Sequence, residues 1–299
     1  MHQMSQTSHF FTVVAGRSGQ ATLTEILRRH VPGCFPAFEA PSPSLLLPGR
    51  LGQLEHRFRR RFIETNELLG RGKVLDAFER GDVEYLETIA RKRLKMIRRD
   101  LARSGAHIYF DVSKFFARGL HVGFCRALPK IGLLRLVRDP VANMRSFLNR
   151  SKNFRLDNSL PDAPSNILRL ESRDMAPGEL YLWAWCEIYL RFDRMVDAGS
   201  VACSAEMRTE HLDDPVHVEA ALRNLGLDFT PVRPVDHLNT NIGQGFRETR
   251  IDDDAVAVFE RFMTRLPGSV LDQISYLASY NPGRNLTGNA ISTMQRITP

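Results

Sequence analysis

No run of about 18 or more apolar residues occurs in this chain. Nothing in it therefore reads as a membrane span. The longest apolar passages are interrupted by charge, as Arg135 interrupts Ile131 to Val137. The first residues, Met1-His2-Gln3-Met4-Ser5-Gln6, carry no basic stretch leading into an apolar one, so no secretory leader is read there. Cysteine is scarce. Cys34, Cys125, Cys186 and Cys203 form no C-x-x-C pair and none stands near histidines at zinc spacing. A disulfide framework and a zinc site are both excluded as readings, no metal is expected, and the setting expected is reducing and cytoplasmic. Neither G-x-x-x-x-G-K-[ST] nor G-x-G-x-x-G occurs after a strand. Repeats, low-complexity tracts, zinc fingers, ribonucleoprotein aromatic motifs and a helix-turn-helix are all missing, so nucleic acid is not an expected partner.

What is present is ordinary in bulk and uneven in charge. Hydrophobic residues make up 43% and charged residues 25% of the 299 positions, close to a soluble globular average. The length suits one large α/β domain spanning residues 1–299. Lys and Arg total 41 against 34 Asp and Glu, a net charge of +7. That balance suits an anionic partner: a nucleotide, a phosphorylated or sulfated ligand, or an acidic membrane touched peripherally. It equally suits a merely basic surface.

Apolar periodicity organises the chain. His9 to Ala15 reads as a strand, Gly16 to Gly19 as a turn, and Leu23, Ile26 and Leu27 fall at helical spacing. Pro32 to Pro48 holds five prolines and reads as a loop. Residues 51–103 read as a basic, helical insertion with interspersed acids, as on solvated helix faces. Ala106 to Phe110 is a second strand, Gly119 to Ala127 a helix, and Ile131 to Val137 a third strand. Asp139 is placed to cap a helix whose first position is Pro140. Residues 152–177 read as a loop or lid. Glu179 to Val196 is an amphipathic helix with Trp183 and Trp185, both assigned to the core. Ser200 to Ser204 is a strand, His217 to Leu225 a helix ended by Gly226, and Asp253 to Leu266 the last clear helix. Alternating strands and helices predict three layers, α/β/α, around a parallel sheet. In such sheets ligands gather beyond the carboxyl ends of the strands.

Three of those ends carry polar residues capable of chemistry. In Gly16-Arg17-Ser18-Gly19-Gln20-Ala21-Thr22, consecutive backbone N–H groups and the positive end of a helix dipole can wrap an anion. Arg17 adds a bidentate donor. An ordinary βα turn is the competing reading. Arg138 ends the third strand, and Ser146, eight residues on, lies about two turns into the next helix. Arg138 is placed either to reach an anion or to pair at the cap. The third end is Asp111-Val112-Ser113-Lys114, where Asp111 reads as a helix cap, as a reacting carboxylate, or as both.

These segments, in this order, resemble the sulfotransferase superfamily. Arg17-Ser18-Gly19-Gln20-Ala21 is similar to its 5′-phosphosulfate loop, [KR]-[ST]-G-[TS]-[TS], with Gln20 and Ala21 in place of the paired hydroxyls. Arg138-Asp139-Pro140 with Ser146 is similar to its 3′-phosphate motif. Arg208-Thr209-Glu210-His211-Leu212, Asp214-Pro215 and Leu225-Gly226-Leu227 resemble a third succession, R-Y-E-D-L, D-P and L-G-L. The resemblance covers roughly residues 9–230. It implies a P-loop-type α/β fold and transfer of a sulfuryl group from 3′-phosphoadenosine 5′-phosphosulfate (PAPS) to a hydroxyl or amine, without metal. It also implies donor contacts at Gly16, Arg17, Ser18, Gly19, Gln20, Ala21, Thr22, Arg138 and Ser146. For the C-terminal loop that closes on the 3′-phosphate, residues 239–250 are the candidate, with Arg247 and Arg250 as contacts. The resemblance implies a base just after a strand, for which Asp111 fits first and His107 second. Lys114 is placed to touch the leaving group.

Two other functions compete. A P-loop kinase of small molecules is weakened by the missing Gly-Lys-Ser/Thr. A catalytically degenerate binding protein of the same fold is favoured by the altered Gln20-Ala21 pair. The acceptor, a glycan or a lipid among the choices, is not named by any motif.

Overall fold

The computed structural model describes residues 8–39, 47, 50–52, 54–55, 58, 66–149, 153–235 and 253–278. Five strands form one parallel sheet: β1 (Ser8–Val13), β2 (Cys34–Phe38), β3 (Ile108–Val112), β4 (Ile131–Val137) and β5 (Val201–Arg208), in the order β2-β3-β1-β4-β5. The helices are α1 (Gln20–His30), α2 (Lys73–Arg80), α3 (Val83–Ser104), α4 (Leu120–Ala127), α5 (Pro140–Leu148), α6 (Pro177–Asp197), α7 (Pro215–Asn224), α8 (Asp253–Met263), α9 (Gly268–Gln273) and α10 (Ser275–Ala278). No helix among the described residues is long and apolar enough to cross a membrane.

Strand alternation sorts the core into two layers. Phe11, Tyr109 and Leu133 point to one face, where α3, α4, α5, α6 and α8 pack. Phe10, Phe110 and Leu134 point to the other, covered by α1 through Leu23, Ile26 and Leu27 and by α7 through Val218, Ala221 and Leu222. Both faces of the sheet are buried, which is why the central strands read as nearly continuous apolar runs. From β1 the chain passes beyond β3 to form β2, returns as β3, then crosses β1 to form β4. Connections thus leave β1 in opposite directions. Such a reversal opens a crevice at the carboxyl ends of the strands around it.

One expectation is corrected. The proline-rich stretch read as a loop contains β2, with Pro36 opposite Phe110. β2 is an edge strand, where a missing N–H is tolerated. The strand after α6 is also longer than expected, running to Arg208.

Helix ends follow local chemistry. Asp82 caps α3 by accepting from Tyr85 N at 3.0 Å, and Asp139 caps α5 by accepting from Ala142 N at 2.8 Å, with Pro140 first in the helix. Gly226, φ 67°, follows the end of α7. The inward face of α3 is Leu86, Ile89, Ala90, Leu94, Ile97 and Leu101, with one charge among them, Arg93. Arg91, Lys92, Lys95, Arg98, Arg99 and Arg103 are exposed, a solvated face.

The loop after α5 is packed rather than loose. Asp157, Asn158, Ser159 and Asn166 are buried. Arg191 of α6 donates to Asn166 Oδ1 at 2.9 Å and to Glu187 Oε1 at 2.7 Å, while Glu187 accepts from the backbone of Ile167 and Leu168. Trp183 and Trp185 are both about 1% exposed, so both belong to the core. Nearby on α4, His121 lies between the rings of Phe78 and Phe116. Burial, with Arg191 close by, pushes its pKa down to about 3.

Candidate active site

The turn after β1 is bent by three residues with positive φ: Gly16 at 95°, Arg17 at 59° and Gly19 at 74°. Gly19 has a second reason to be glycine. A Cβ there would run into Leu212 Cδ1 and meet Thr209 Cγ2 at 3.2 Å. The third segment of the sequence resemblance, residues 208–212, is therefore packed directly on the first. Thr209 Oγ1 stands 3.1 Å from the Ser18 carbonyl and 3.0 Å from that of Val137, at the ends of two different elements.

α1 starts at Gln20 without a side-chain cap. Its first N–H groups are left for a ligand or solvent, as at any uncapped helix start. Gln20 is 7% exposed, and its Nε2 has no hydrogen-bond partner among the described residues. Ser18 Oγ donates to the Gly16 carbonyl at 3.1 Å and accepts from Asn143 Nδ2 at 2.7 Å. Tyr181 Oη lies against Asn143 Oδ1 and 3.2 Å from the Gly16 carbonyl. Burial pushes the Tyr181 phenol above its ordinary value, so it serves as a neutral donor. Thr22 is buried within α1, and Ala21 is partly exposed on the first turn.

The two segments singled out as anion-binding meet here. Arg138 Nη1 donates to the Arg17 carbonyl at 2.6 Å, across 121 positions of sequence. Arg17 Nε donates to Ser146 Oγ at 3.2 Å, across 129. Two guanidinium groups, a hydroxyl and a helix N-terminus thus converge beyond β1 and β4, an arrangement suited to phosphate oxygens.

A second set of cations flanks the turn on the β3 side. Asp157 is 4% exposed. It meets Lys114 Nζ at 2.6 Å, Arg71 Nε at 3.0 Å and Arg118 Nη1 at 3.8 Å. Burial alone would raise its carboxyl. Lys114, Arg118 and Arg71 more than reverse this and hold it well below the usual carboxylate range. Arg118 also donates to the Ala15 carbonyl at 2.7 Å, and the Lys114 side chain lies over Gly16. Neither Arg118 nor Asp157 was singled out in the sequence, because their partnership spans 39 positions and carries no local pattern.

The two residues expected as bases stand at opposite ends of β3. Asp111 is 1% exposed on the inner face of β3. Its Oδ2 accepts from Arg93 Nη2 and, at 3.1 Å, from Tyr109 Oη. Burial raises its carboxyl, and Arg93 offsets part of that. It fits a strut between β3 and α3 better than a base open to a substrate. Arg93 was not singled out in the sequence, where the one signal was a charge on the apolar stripe of α3. His107 precedes β3 rather than lying within it, and it packs against Gly33. That is the amino end of a parallel sheet, some four residues or about 13 Å of strand away from the Asp111 level.

A carboxylate that sequence reading passed over stands at the right end. Glu39 directly follows β2, with φ 48°, rare outside glycine. It is partly exposed and close enough for its charge to bear on both Asp111 and Arg118. The one available signal was its place after an apolar segment, hidden by the prolines around it. Arg247 and Arg250 lie outside the described residues.

No family model matches the chain, and no curated protein matches it. Among solved structures it is similar to a sulfotransferase domain from the curacin biosynthetic pathway, at 15% identity and a TM-score of 0.48, over 92% of this chain and 98% of that one. It is also similar to a sulfotransferase domain from the Synechococcus PCC 7002 olefin synthase, at 18% identity and 0.42, over 87% and 95%. A sulfotransferase from Alicyclobacillus acidocaldarius is similar at 16% identity and 0.41, over 88% and 95%.

Proposed function

We propose that the protein is a sulfotransferase that moves the sulfuryl group of PAPS to a hydroxyl of an acceptor. The observation that carries this reading is the meeting of Arg17, Arg138 and Ser146, from two distant segments, at the mouth of the β1 turn. Two anionic ends of one nucleotide account for two basic subsites side by side.

In this reading the 5′-phosphosulfate lies on the backbone N–H groups of residues 16–22 and the start of α1, where charge is stabilised without a metal. Gln20 Nε2 is a spare buried donor in the place where the resembled family has hydroxyls. Arg138 and Ser146 hold the 3′-phosphate, and Arg247 and Arg250 are proposed to close on it. The acceptor oxygen attacks sulfur in line as the bond from sulfur to the 5′-phosphate oxygen breaks. The acceptor proton passes to a carboxylate, and 3′-phosphoadenosine 5′-phosphate (PAP) leaves. Arg17 and Lys114 are placed to neutralise the charge that develops on the leaving phosphate. Glu39 is proposed as the proton acceptor in preference to Asp111, because it stands at the carboxyl end of the sheet and is partly open to solvent. The protein would work in a reducing, cytoplasmic setting, as one domain.

Calorimetry with PAP tests the reading. Micromolar binding is expected without magnesium. No PAP binding by the intact chain would sink it, and binding of ATP that requires magnesium would point to a kinase.

A further inference from the structure

Beside the Lys114–Asp157 pair, a cavity of ≈ 170 Å³ opens between the start of α2 and the loop after α5. It is roomy enough for about half a dozen waters, hence for one small ring but not for an extended apolar ligand. Its walls are unlike those of most small-molecule pockets, which are chiefly apolar. Arg71, Asp76, Glu79 and Arg155 bring two positive and two negative charges, and Asn66 and Asn158 add amides. Leu75 is the one large apolar residue in the lining.

This lining discriminates. A sterol, a phenol or an acyl chain would bury four charged groups against carbon, at a cost in desolvation. A purely anionic ligand would gain from the arginines and be repelled by Asp76 and Glu79. Glu79 Oε1 already accepts from Leu160 N, Asn158 Nδ2 donates to the Phe154 carbonyl and Arg71 pairs with Asp157, so the exposed Asp76 and Arg155 are the groups turned to a ligand. A neutral ring bearing many hydroxyls suits both, since hydroxyls donate to carboxylates and accept from guanidinium N–H groups. One wall of the cavity is linked to the donor turn through a chain of side chains. Arg71, in its wall, shares Asp157 with Lys114, and Lys114 lies over Gly16.

From this we infer that the cavity is the acceptor subsite and that the acceptor is a carbohydrate, one pyranose ring of which is held chiefly by Asp76 and Arg155. The inference rests on the sulfotransferase reading for the word acceptor, while the sugar specificity stands on the lining alone.

The test is saturation-transfer NMR on the full chain, with and without PAP. The probes are the methyl glycosides of glucose, galactose, mannose and N-acetylglucosamine, alongside 4-nitrophenol and 1-octanol. At least one glycoside should receive saturation. Its signal should fall at least fivefold in Asp76→Ala and in Arg155→Ala, two exposed positions outside the donor site. PAP affinity in both variants should stay within twofold of the parent. The inference is overturned if no glycoside responds, if the glycoside signals survive both substitutions, or if the phenol or the alcohol responds in their place. Glycoside binding through Asp76 and Arg155 by a chain that binds no PAP would leave a sugar site without a transfer reaction, and would overturn the acceptor assignment alone.

Discussion

Two buried carboxylates on the β3 side of the molecule have opposite surroundings. Among the described residues Asp111 has one cation at ion-pair distance, Arg93, and the pair joins a strand to a helix. Asp157 meets three among the described residues, Lys114, Arg118 and Arg71, and lies beside the Gly16 turn. The first is a fully buried pair of one acid with one cation. The second gathers several cations on one acid, next to a turn suited to an anion. Burial of an acid is therefore not in itself a sign of catalysis; the count of opposing charges around it is more informative.

The sharpest way to break this contrast is to remove the partner of each acid in turn. Arg93→Met should strand Asp111 in the core and destabilise the protein by about 3–5 kcal/mol. Sulfate or PAP should not restore the melting temperature. Asp157→Asn should also lower the melting temperature, by removing the carboxylate that Lys114, Arg118 and Arg71 share, but here millimolar sulfate or PAP should recover most of the loss. Equal responses of the two variants to anion would erase the distinction.

A smaller effect is expected at the proposed nucleotide site. Arg138→Ala removes charged hydrogen bonds worth roughly 1.5–3 kcal/mol, so PAP affinity measured by calorimetry should fall about 10- to 150-fold. A change under threefold would detach Arg138 from the anion site.

The smallest effect concerns pH. His121 is held neutral in the fold with its pKa pushed down to about 3, against an ordinary value near 6.5. Below the ordinary value the unfolded chain binds a proton that the folded chain refuses. Stability should therefore decline as pH falls from neutral, by roughly 2 kcal/mol at pH 5. Denaturation of His121→Phe between pH 7 and pH 5 should show a visibly flatter slope, and an unchanged slope would assign the acid sensitivity elsewhere.

Much of the frame was legible because it is local. The β1–turn–α1 unit, the Asp139-Pro140 helix start and the glycine after α7 each follow from a few neighbouring residues. The convergence of Arg17, Arg138 and Ser146 was legible through a resemblance, since spacing alone cannot bring together groups more than a hundred positions apart. What remained hidden was non-local or disguised. β2 was concealed by Pro32 and Pro36, and Glu39 with it. Asp111 looked reactive because the sequence pattern ends its strand at Phe110, whereas Asp111 lies within β3 and its partner Arg93 comes from a helix formed earlier in the chain. Asp157 sat in a polar loop that gave no sign of being buried.

Pro36 has one more consequence, at the level of how copies of the chain meet. Among the described residues no strand pairs with the outer side of β2, the kind of border along which identical molecules can zip together into a continuous ladder. A proline in the middle of that border removes a donor and imposes its own φ, so an approaching strand finds the ladder broken after two residues. The residue that disguised the strand from the reader of the sequence also makes it a poor template for self-association.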